Sequence, residues 1–356
     1  MRLEEISVTF SRKSVLTNVS LKVEAEQCVA LLGQSGSGKT TLLRVIAGFI
    51  KPDQGRVYLM GRDVTKLPPE YRSVSMLFQE PVLFPHLTVR ENATVGFQKG
   101  KKNSAMEYAV RDFAKAFEID GHLNRKLRSG LSGGEKQRAA LLRTFTHAKE
   151  ILLLDEPLKS ALNVELRWKL LRTIRSHVKA KGRTTLVVTH DFEEAAYLAD
   201  EIAVIDEKGQ ELHKGPTFKM YNDPPTLQVA RILGKGTELD GPTFFKREKR
   251  ETAYPFVFEG PEPRTVRDAH ALFARPDKVS INPDGFGFKI KAISFLGDRS
   301  LVEIVPLESV EQSETQIFVS MDPQLANLLG KDQVVGAKLS TGGIIYFDKD
   351  GRRIPT

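Results

Sequence analysis

Hydrophobic and polar positions near the start of the chain show a strand-like alternation. Residues 3–10 and 15–24 follow this pattern, with Val19, Leu21 and Val23 apolar and the side chains between them polar. A period of two is typical of antiparallel strands that have one buried and one solvated face. The pattern therefore predicts an antiparallel β subdomain in this region.

Continuous apolar runs then replace the alternation, at 28–32, 151–154 and 185–188. Short runs of this kind are typical of parallel strands that are buried on both faces of a sheet. Helix-length segments separate or follow these runs, at 39–48, 103–118, 132–147, 163–181 and 191–199. Strands that alternate with helices predict a doubly wound α/β fold.

The composition changes near residue 234. Glycine, proline and charged residues cluster over 235–262, which predicts a linker. Beyond about residue 270, short alternating segments broken by turn signals predict a small β-barrel or sandwich. We therefore expect a domain at 1–234, a linker at 235–262 and an all-β domain at 263–356.

Length and composition agree with two folded domains. The chain has 356 residues, of which 40% are hydrophobic and 28% charged, so each domain can bury a core. The single cysteine, Cys28, cannot form an intrachain disulfide and lies in an apolar run, which predicts a buried side chain. No stretch approaches the about 18 apolar residues of a membrane-spanning helix, and no secretory signal is evident. We expect a soluble chain in a reducing, cytoplasmic compartment.

The formal net charge of +8 raises the possibility of a nucleic-acid or membrane surface. Residues 236–356 hold 16 Lys and Arg against 18 Asp and Glu, so the excess belongs to the earlier part of the chain. There it is mixed with acidic residues, and the short basic clusters lack interleaved aromatic side chains. We expect solvated helix faces and an anionic ligand, and no nucleic-acid partner.

A glycine-rich phosphate loop follows the first apolar run. Gly33-Gln34-Ser35-Gly36-Ser37-Gly38-Lys39-Thr40 matches G-x-x-x-x-G-K-[ST] between a predicted strand and a predicted helix. The glycines allow backbone N–H groups to point inward as an anion nest, and the helix N-terminus adds partial positive charge. Lys39 adds a full charge, and the Thr40 hydroxyl is a ligand for Mg²⁺.

Two carboxylates end the second apolar run. Asp155 and Glu156 follow Ile151–Leu154, and their charge beside a phosphate site would be costly without a cation. This predicts that Asp155 holds Mg²⁺, directly or through water. Glu156 is then in position to act as general base on the attacking water.

A further motif, Leu131-Ser132-Gly133-Gly134-Glu135-Lys136-Gln137-Arg138, reads by itself as a helix start with Ser132 and Glu135 in a capping box. It also resembles the signature sequence of the ATP-binding cassette (ABC) ATPases, with Glu in place of Gln. The resemblance covers residues 1 to about 234 and implies an α/β P-loop cassette with antiparallel β and helical subdomains. It also implies ATP and Mg²⁺ as cofactors, and γ-phosphate binding by Ser132, Gly133 and Gly134 across a homodimer.

Three more residues take roles from this resemblance. Gln79, after the strand Val74–Phe78, resembles the glutamine that senses Mg²⁺ and water, and His190 resembles the switch histidine that contacts the γ-phosphate. Phe10 resembles the aromatic side chain that stacks on adenine. The nucleotide is then expected to contact these residues together with Gly33, Gln34, Ser35, Gly36, Ser37, Gly38, Lys39, Thr40 and Thr41.

The sequence departs from the family in the loop after Pro157. The family has a Ser-Ala-Leu-Asp-like D-loop, whereas Leu158-Lys159-Ser160-Ala161-Leu162-Asn163 holds one extra residue and ends in Asn. The departure affects the expected contacts of this loop with the second subunit. It removes no expected phosphate or metal ligand.

The end of the chain is similar to the oligonucleotide-binding-like (OB-like) regulatory domain, TOBE, found behind cassettes of bacterial importers. Phe273–Val279 and Phe295–Asp298 carry this similarity. It implies the ATPase subunit of an importer that lies on the inner face of the membrane, bound to permease subunits and served by a solute-binding protein. Inorganic anions or ferric iron are the preferred solutes.

Two other functions are compatible with a cassette. One is an ATPase that acts on nucleic acid or ribosomes, which often has two cassettes or a long coiled-coil insertion; this chain has one cassette and no sustained heptads. The other is a degenerate cassette without turnover, which the presence of Lys39, Asp155, Glu156 and His190 opposes.

Overall fold

The computed structural model describes residues 1–96, 104–127, 130–159, 163–180, 182–210, 212–241, 256–259, 269–296, 298–307 and 315–355. The chain divides into two compact units, Met1–Thr217 and Phe218–Thr356. Within the described ranges, no helix combines the length and the apolar character needed to cross a bilayer.

The first unit contains two sheets. One has four strands in the order β2-β1-β4-β5, and its pairs are antiparallel. The other has the order β10-β9-β3-β8-β7-β6 and is parallel except for the edge strand β10. The strands are β1 (Arg2–Phe10), β2 (Lys13–Lys22), β3 (Cys28–Leu32), β4 (Gln54–Leu59), β5 (Arg62–Asp63), β6 (Val74–Leu77), β7 (Ile151–Asp155), β8 (Thr184–Val188), β9 (Glu201–Ile205) and β10 (Leu212–Pro216).

The helices of this unit have local start signals in the sequence. Thr88 and Ser132 each form a capping box, with Glu91 and Glu135 respectively, and Asp191 accepts hydrogen bonds from the first backbone N–H groups of its helix. The helices are α1 (Lys39–Ala47), α2 (Val89–Thr94), α3 (Ser104–Ala116), α4 (Gly133–Thr146), α5 (Val164–Ala180) and α6 (Phe192–Leu198). The predicted α/β cassette with an antiparallel β subdomain is confirmed.

Both faces of the parallel sheet are covered. Leu152 and Leu154 of β7 belong to a core cluster with residues of α3, α4 and α5, whereas Ile151 and Leu153 belong to a cluster with residues of β1, β2 and α1. Cys28 is buried as expected, and burial raises the pKa of its thiol to about 12. The continuous apolar runs are therefore explained by a sheet that is buried on both faces.

The second unit is rich in β structure, as the sequence predicted. Its sheets have the orders β11-β13-β19-β20 and β12-β18-β15-β16-β17, and β14 also pairs with β18. The elements are α7 (Thr217–Asn222), α8 (Leu227–Ile232), β11 (Thr237–Asp240), β12 (Phe256–Glu259), β13 (Ala271–Ala274), β14 (Val279–Asn282), β15 (Phe288–Phe295), β16 (Ser300–Pro306), β17 (Ile317–Met321), α9 (Pro323–Ala326), β18 (Val334–Ser340), β19 (Ile344–Phe347) and β20 (Arg353–Ile354).

The structure divides the chain earlier than residue 234. Leu227 and Ala230 of α8 are buried in a cluster with Phe273, Ile345 and Phe347, so this helix packs with the second unit. Within the predicted linker 235–262, residues 237–240 form β11 and pair with β13, and residues 256–259 form β12 and pair with β18. Residues 242–255 and 260–262 lie outside the described residues. The assignment of 1–234 and 263–356 as functional domains remains a prediction.

Arg275 joins α7, α8 and the loop that follows α8 within the second unit. Its guanidinium donates hydrogen bonds to the carbonyl oxygens of Ala230 and Gly234 at 3.0 Å and of Tyr221 at 3.1 Å. The side chain is buried between the rings of Tyr221 and Phe273, and burial lowers the pKa of Arg275 to about 10. One buried cation thus satisfies three carbonyl groups near helix ends.

Candidate functional site

The loop between β3 and α1 is held closely against neighbouring backbone. Gly38 has φ +90°, and a Cβ atom there would lie 2.9 Å from the carbonyl oxygen of Val15. A Cβ atom at Gly33 would lie 2.7 Å from the carbonyl oxygen of Ile205. Glycine is therefore required at both positions, which allows the loop to turn into the N-terminus of α1.

Lys39 is nearly buried at the base of this loop. Its Nζ donates to the carbonyl oxygens of Gly33 at 2.9 Å and Gln34 at 2.6 Å, and to Ser37 Oγ at 3.4 Å. Burial lowers the pKa of Lys39, and the charges of Glu156 and Asp155 oppose this shift. All three ammonium hydrogens are engaged with the loop, so a bound anion would replace some of these contacts.

Asp155 lies at the end of β7, with 1% of the residue exposed. Its Oδ1 accepts a hydrogen bond from Thr40 Oγ1 at 3.3 Å. Burial raises the pKa of this carboxyl group, and the Thr40 hydrogen bond opposes the shift. A carboxylate and a hydroxyl oxygen therefore meet between the phosphate loop and β7.

Glu156, directly after Asp155, has an unusual backbone angle. Its φ is +45°, and its N–H donates to the carbonyl oxygen of Val188 at 2.8 Å. The left-handed region is costly for a residue with a Cβ atom, and such strain is concentrated at functional sites. The two neighbouring carboxylates have different partners: Asp155 contacts Thr40, whereas Glu156 contacts residues of other loops.

The carboxylate of Glu156 has three polar neighbours. Gln79 Nε2 donates to Oε2 at 3.0 Å, and Lys159 Nζ lies 3.4 Å from the same oxygen. His190 Nδ1 lies 3.4 Å from Oε1, and 69% of the histidine side chain is exposed. Three loops that are distant in sequence thus meet at one carboxylate.

These residues line one cleft of about 430 Å³. The expected site residues that line it are Gly33, Ser35, Gly36, Gly38, Lys39, Thr40, Thr41, Gln79, Glu156 and His190. Gln34 and Ser37 do not line the cleft but accept hydrogen bonds from Lys39, which does. Asp155 likewise accepts a hydrogen bond from Thr40 of the lining. Val15, Lys159 and Val188 also line the cleft and were not predicted.

Besides Gln34, Ser37 and Asp155, four more expected site residues lie outside the lining of the cleft: Phe10, Ser132, Gly133 and Gly134. Phe10 ends β1, and 45% of it is exposed. Ser132 caps α4: its Oγ accepts from Glu135 N–H at 3.2 Å, and its own N–H donates to Glu135 Oε2 at 2.6 Å. His122 Nε2 lies 3.0 Å from Glu135 Oε1, which adds a second support to this cap.

A charged network includes Asp191, the residue that follows His190. Arg167 of α5 contacts Asp191 Oδ2 at 2.5 Å and Glu194 Oε1 at 2.9 Å, and Thr189 Oγ1 donates to Glu194 Oε2 at 2.7 Å. Asp191 Oδ1 caps α6 by accepting from the N–H groups of residues 193 and 194. The Asp-x-x-Glu spacing at 191–194 is a signal that could have indicated this cap, whereas nothing in the sequence pattern indicates its arginine partner.

The donor set next to the phosphate loop fits Mg²⁺ bound together with a phosphorylated ligand. Magnesium prefers oxygen ligands, keeps several waters and is commonly held by one or two carboxylates plus phosphate oxygens. Thr40 and Asp155 supply a hydroxyl and a carboxylate of this kind. In the described part of the chain, no group of three or more His, Cys, Asp or Glu side chains could cage a metal alone.

The D-loop is described at its two ends. Residues 160–162, including Ser160, lie outside the described residues. Asn163 directly precedes α5, and its Oδ1 accepts a hydrogen bond from Leu166 N–H at 3.2 Å. Asn163 therefore has a capping contact within its own chain, and its expected contact with a second subunit remains a prediction.

Comparison with known proteins finds related chains. A model of the "ABC transporter" family matches residues 16–159. The spermidine/putrescine import ATP-binding protein of Acetivibrio thermocellus is 39% identical over 68% of this chain and 68% of its own. The Fe(3+) ions import ATP-binding protein of Fusobacterium nucleatum is 32% identical over 99% of this chain and 94% of its own.

The fold has solved counterparts as well. A dimeric ATP-binding cassette in a post-hydrolysis state, bound to ADP and phosphate, aligns with a TM-score of 0.56 at 26% identity. The alignment covers 61% of this chain and 98% of that one. The likeness in structure therefore lies in the cassette.

Proposed function

Because the chain belongs to the family of ABC transporter ATP-binding subunits, we propose that its cleft binds Mg-ATP and hydrolyses it to drive solute import through separate membrane subunits. The observation that carries the proposal is that the phosphate loop and Glu156 line one cleft, with Asp155 hydrogen-bonded to Thr40 of that lining. An anion nest with a buried lysine binds polyphosphate, and the two carboxylates supply metal and proton chemistry beside it.

Each group then has a role in hydrolysis. The loop amides and Lys39 hold the phosphates, and Thr40 and Asp155 hold Mg²⁺. When bound, Mg²⁺ neutralises phosphate charge and polarises the phosphoryl oxygen. Glu156 accepts the proton of the attacking water, because its carboxylate lies at the cleft surface whereas that of Asp155 is buried.

Gln79 and His190 orient this carboxylate and sense the terminal phosphate. Both already contact Glu156, at 3.0 Å and 3.4 Å. They reach the cleft from loops after β6 and β8, whose carboxyl ends lie beside that of β7. A change at the phosphate can therefore be passed to two different loops.

The functional unit in this proposal is a homodimer. Ser132, Gly133 and Gly134 form the N-terminus of α4 outside their own cleft, and a helix N-terminus is an anion site. They would bind the γ-phosphate of ATP on the second copy, while Phe10 would stack on adenine. The dimer would lie on the cytoplasmic face of the membrane, bound to permease subunits and acting with a solute-binding protein.

Ferric iron is the solute we propose. The relative named for Fe(3+) import aligns over 99% of this chain, including the second unit, whereas the polyamine relative from Acetivibrio aligns over 68%. Uptake of labelled ferric iron, molybdate and spermidine should be compared in cells with and without the gene. Loss of iron uptake alone supports the proposal, and loss of spermidine or molybdate uptake alone contradicts it.

Hydrolysis and dimerisation are tested together by Glu156→Gln. We expect turnover to fall by about 10² to 10⁴, as is typical when a general base is removed, with ATP binding retained. ATP should then hold Glu156→Gln as a dimer in sedimentation velocity, and adding Ser132→Arg should abolish the dimer. Glu165→Gln, an exposed change on α5, is the matched control.

Near-normal hydrolysis by Glu156→Gln would contradict the role of the general base. A chain that stays monomeric with ATP in the Glu156→Gln background would contradict the shared site. His190→Ala gives a separate check, since we expect reduced turnover with less change in ATP affinity.

A further inference from the structure

Lys159 lines the cleft from the segment where the sequence departs from its family. Its backbone N–H donates to the carbonyl oxygen of Glu156 at 3.3 Å, so a tight turn fixes the start of the side chain. Its Nζ lies 3.4 Å from Glu156 Oε2, and 51% of the side chain is exposed. The ammonium group therefore lies at the cleft surface and is open to solvent.

The two lysines of the cleft differ in what they bind. Lys39 is nearly buried, and all three of its hydrogens point to oxygens of its own loop. Lys159 has one half-exposed ion pair with a single carboxylate oxygen. Such a pair contributes little stability, so its ammonium can exchange partners at small cost.

Glu156 does not depend on this ion pair for its position. The turn at φ +45° and the hydrogen bond from its N–H to Val188 fix its backbone. Gln79 and His190 contact its two carboxylate oxygens. Lys159 is therefore available for a second partner.

We propose that Lys159 is a second phosphate-binding lysine, whose ammonium exchanges the carboxylate of Glu156 for the terminal phosphate of ATP. This inference rests on the proposed function of the cleft. A terminal phosphate carries more negative charge than one carboxylate and offers three acceptor oxygens, so it is the stronger partner for a compact ammonium. The exchange keeps the hydrogen bond from Gln79 to Glu156 Oε2 and opens a second acceptor position on this oxygen for water.

The test is nucleotide affinity, because only a contact to the terminal phosphate distinguishes ATP from ADP. Binding of the β,γ-imido analogue of ATP and of ADP is measured by calorimetry on the full chain with Mg²⁺. We expect Lys159→Met to weaken the analogue about tenfold, as for a half-exposed charge-assisted contact, and to change ADP affinity less than about twofold. Lys159→Arg should restore most of the loss, and Lys115→Met on α3 is the control for removal of an exposed lysine.

The same measurement in the Glu156→Gln background separates two roles. A phosphate contact predicts that Lys159→Met still weakens the analogue selectively. An effect that disappears with Glu156→Gln, or an unchanged preference for the analogue over ADP, would overturn the inference.

The proposed function fails in a different way. A chain that binds neither nucleotide would refute the cleft as an ATP site and this inference with it. The same conclusion would follow if Lys39→Ala left the affinity for both nucleotides unchanged. Nucleotide binding that depends on Lys39, without selective loss in Lys159→Met, would overturn the role of Lys159 alone.

Discussion

Arg167→Ala should destabilise the first unit and disturb His190 without touching the cleft. The substitution removes the partner of two acidic side chains, Asp191 and Glu194, whose side chains are 28% and 7% exposed. Breaking a buried ion pair costs about 3–5 kcal/mol, but Arg167 is 33% exposed and solvent offsets part of the loss. Glu194 also keeps its hydrogen bond from Thr189, and Asp191 keeps two from backbone N–H groups.

We therefore expect a loss of about 2–3 kcal/mol in the free energy of unfolding. For a unit of this size, that corresponds to a decrease of roughly 5–10 °C in the midpoint of thermal unfolding. Arg172→Ala removes an exposed arginine from the same helix and should change the midpoint little. Turnover should also fall, by roughly tenfold, because Asp191 follows His190 directly and a small displacement of a reacting group is costly.

The loss should depend on pH in a definite direction. Burial raises the pKa of Glu194, and removal of Arg167 raises it further. In Arg167→Ala, the ionised carboxylate of Glu194 therefore destabilises the folded state at any pH above this pKa. Burial also acts to raise the pKa of Asp191, but Arg167 and the backbone hydrogen bonds lower it overall, so its stabilising effect is lost as the pH falls. Both effects predict that the deficit of Arg167→Ala is greatest near neutral pH and shrinks toward about pH 4.

The assay is thermal unfolding of the unsubstituted protein, Arg167→Ala and Arg172→Ala from about pH 4 to neutral pH. The reasoning is refuted if Arg167→Ala loses no more stability than Arg172→Ala at neutral pH. A deficit that grows on acidification would show that the two carboxylates are not the groups involved.

Two other substitutions test separate parts of the chain. Asn163→Ala removes the acceptor for Leu166 N–H, so it should lower the free energy of unfolding in urea by about 1 kcal/mol. If the side chain also contacts a second subunit, turnover by the dimer should fall while the ATP affinity of a single site stays unchanged. Arg275→Ala leaves three carbonyl groups near helix ends without their donor and should lower the unfolding midpoint of the second unit while ATP binding is retained. Full stability of either variant, or loss of ATP binding in Arg275→Ala, would contradict these assignments.

The phosphate loop could be predicted in detail because its structure is carried by contiguous residues. Glycines at 33 and 38 permit the turn, and Lys39 bonds back to carbonyl groups five and six residues earlier. The same holds for the capping box of Ser132 and Glu135, which are three residues apart. In these cases the pattern of residue types nearly determines the geometry.

The network of Arg167, Asp191 and Glu194 could not be predicted in this way. Arg167 lies 24 residues from Asp191 and 27 from Glu194, and the three meet because α5 packs on α6. An arginine at the start of a helix is read as a solvated side chain when its partner is unknown. Tertiary packing, and not local pattern, gives this residue its role.

The absence of Ser132 from the lining of its own cleft has a physical meaning under the proposed dimer. The signature motif lies between the phosphate loop and Asp155 in the sequence. The sequence does not indicate whether the motif binds nucleotide in its own cleft or in that of a second copy. Within one chain, Lys39 lines the cleft and the capped N-terminus of α4 does not, so under the proposed dimer a single copy lacks these helix donors at its own cleft. A second copy would add the missing donors, and ATP would then stabilise the dimer by the free energy of those contacts. Association that depends on nucleotide follows directly from this division of the site.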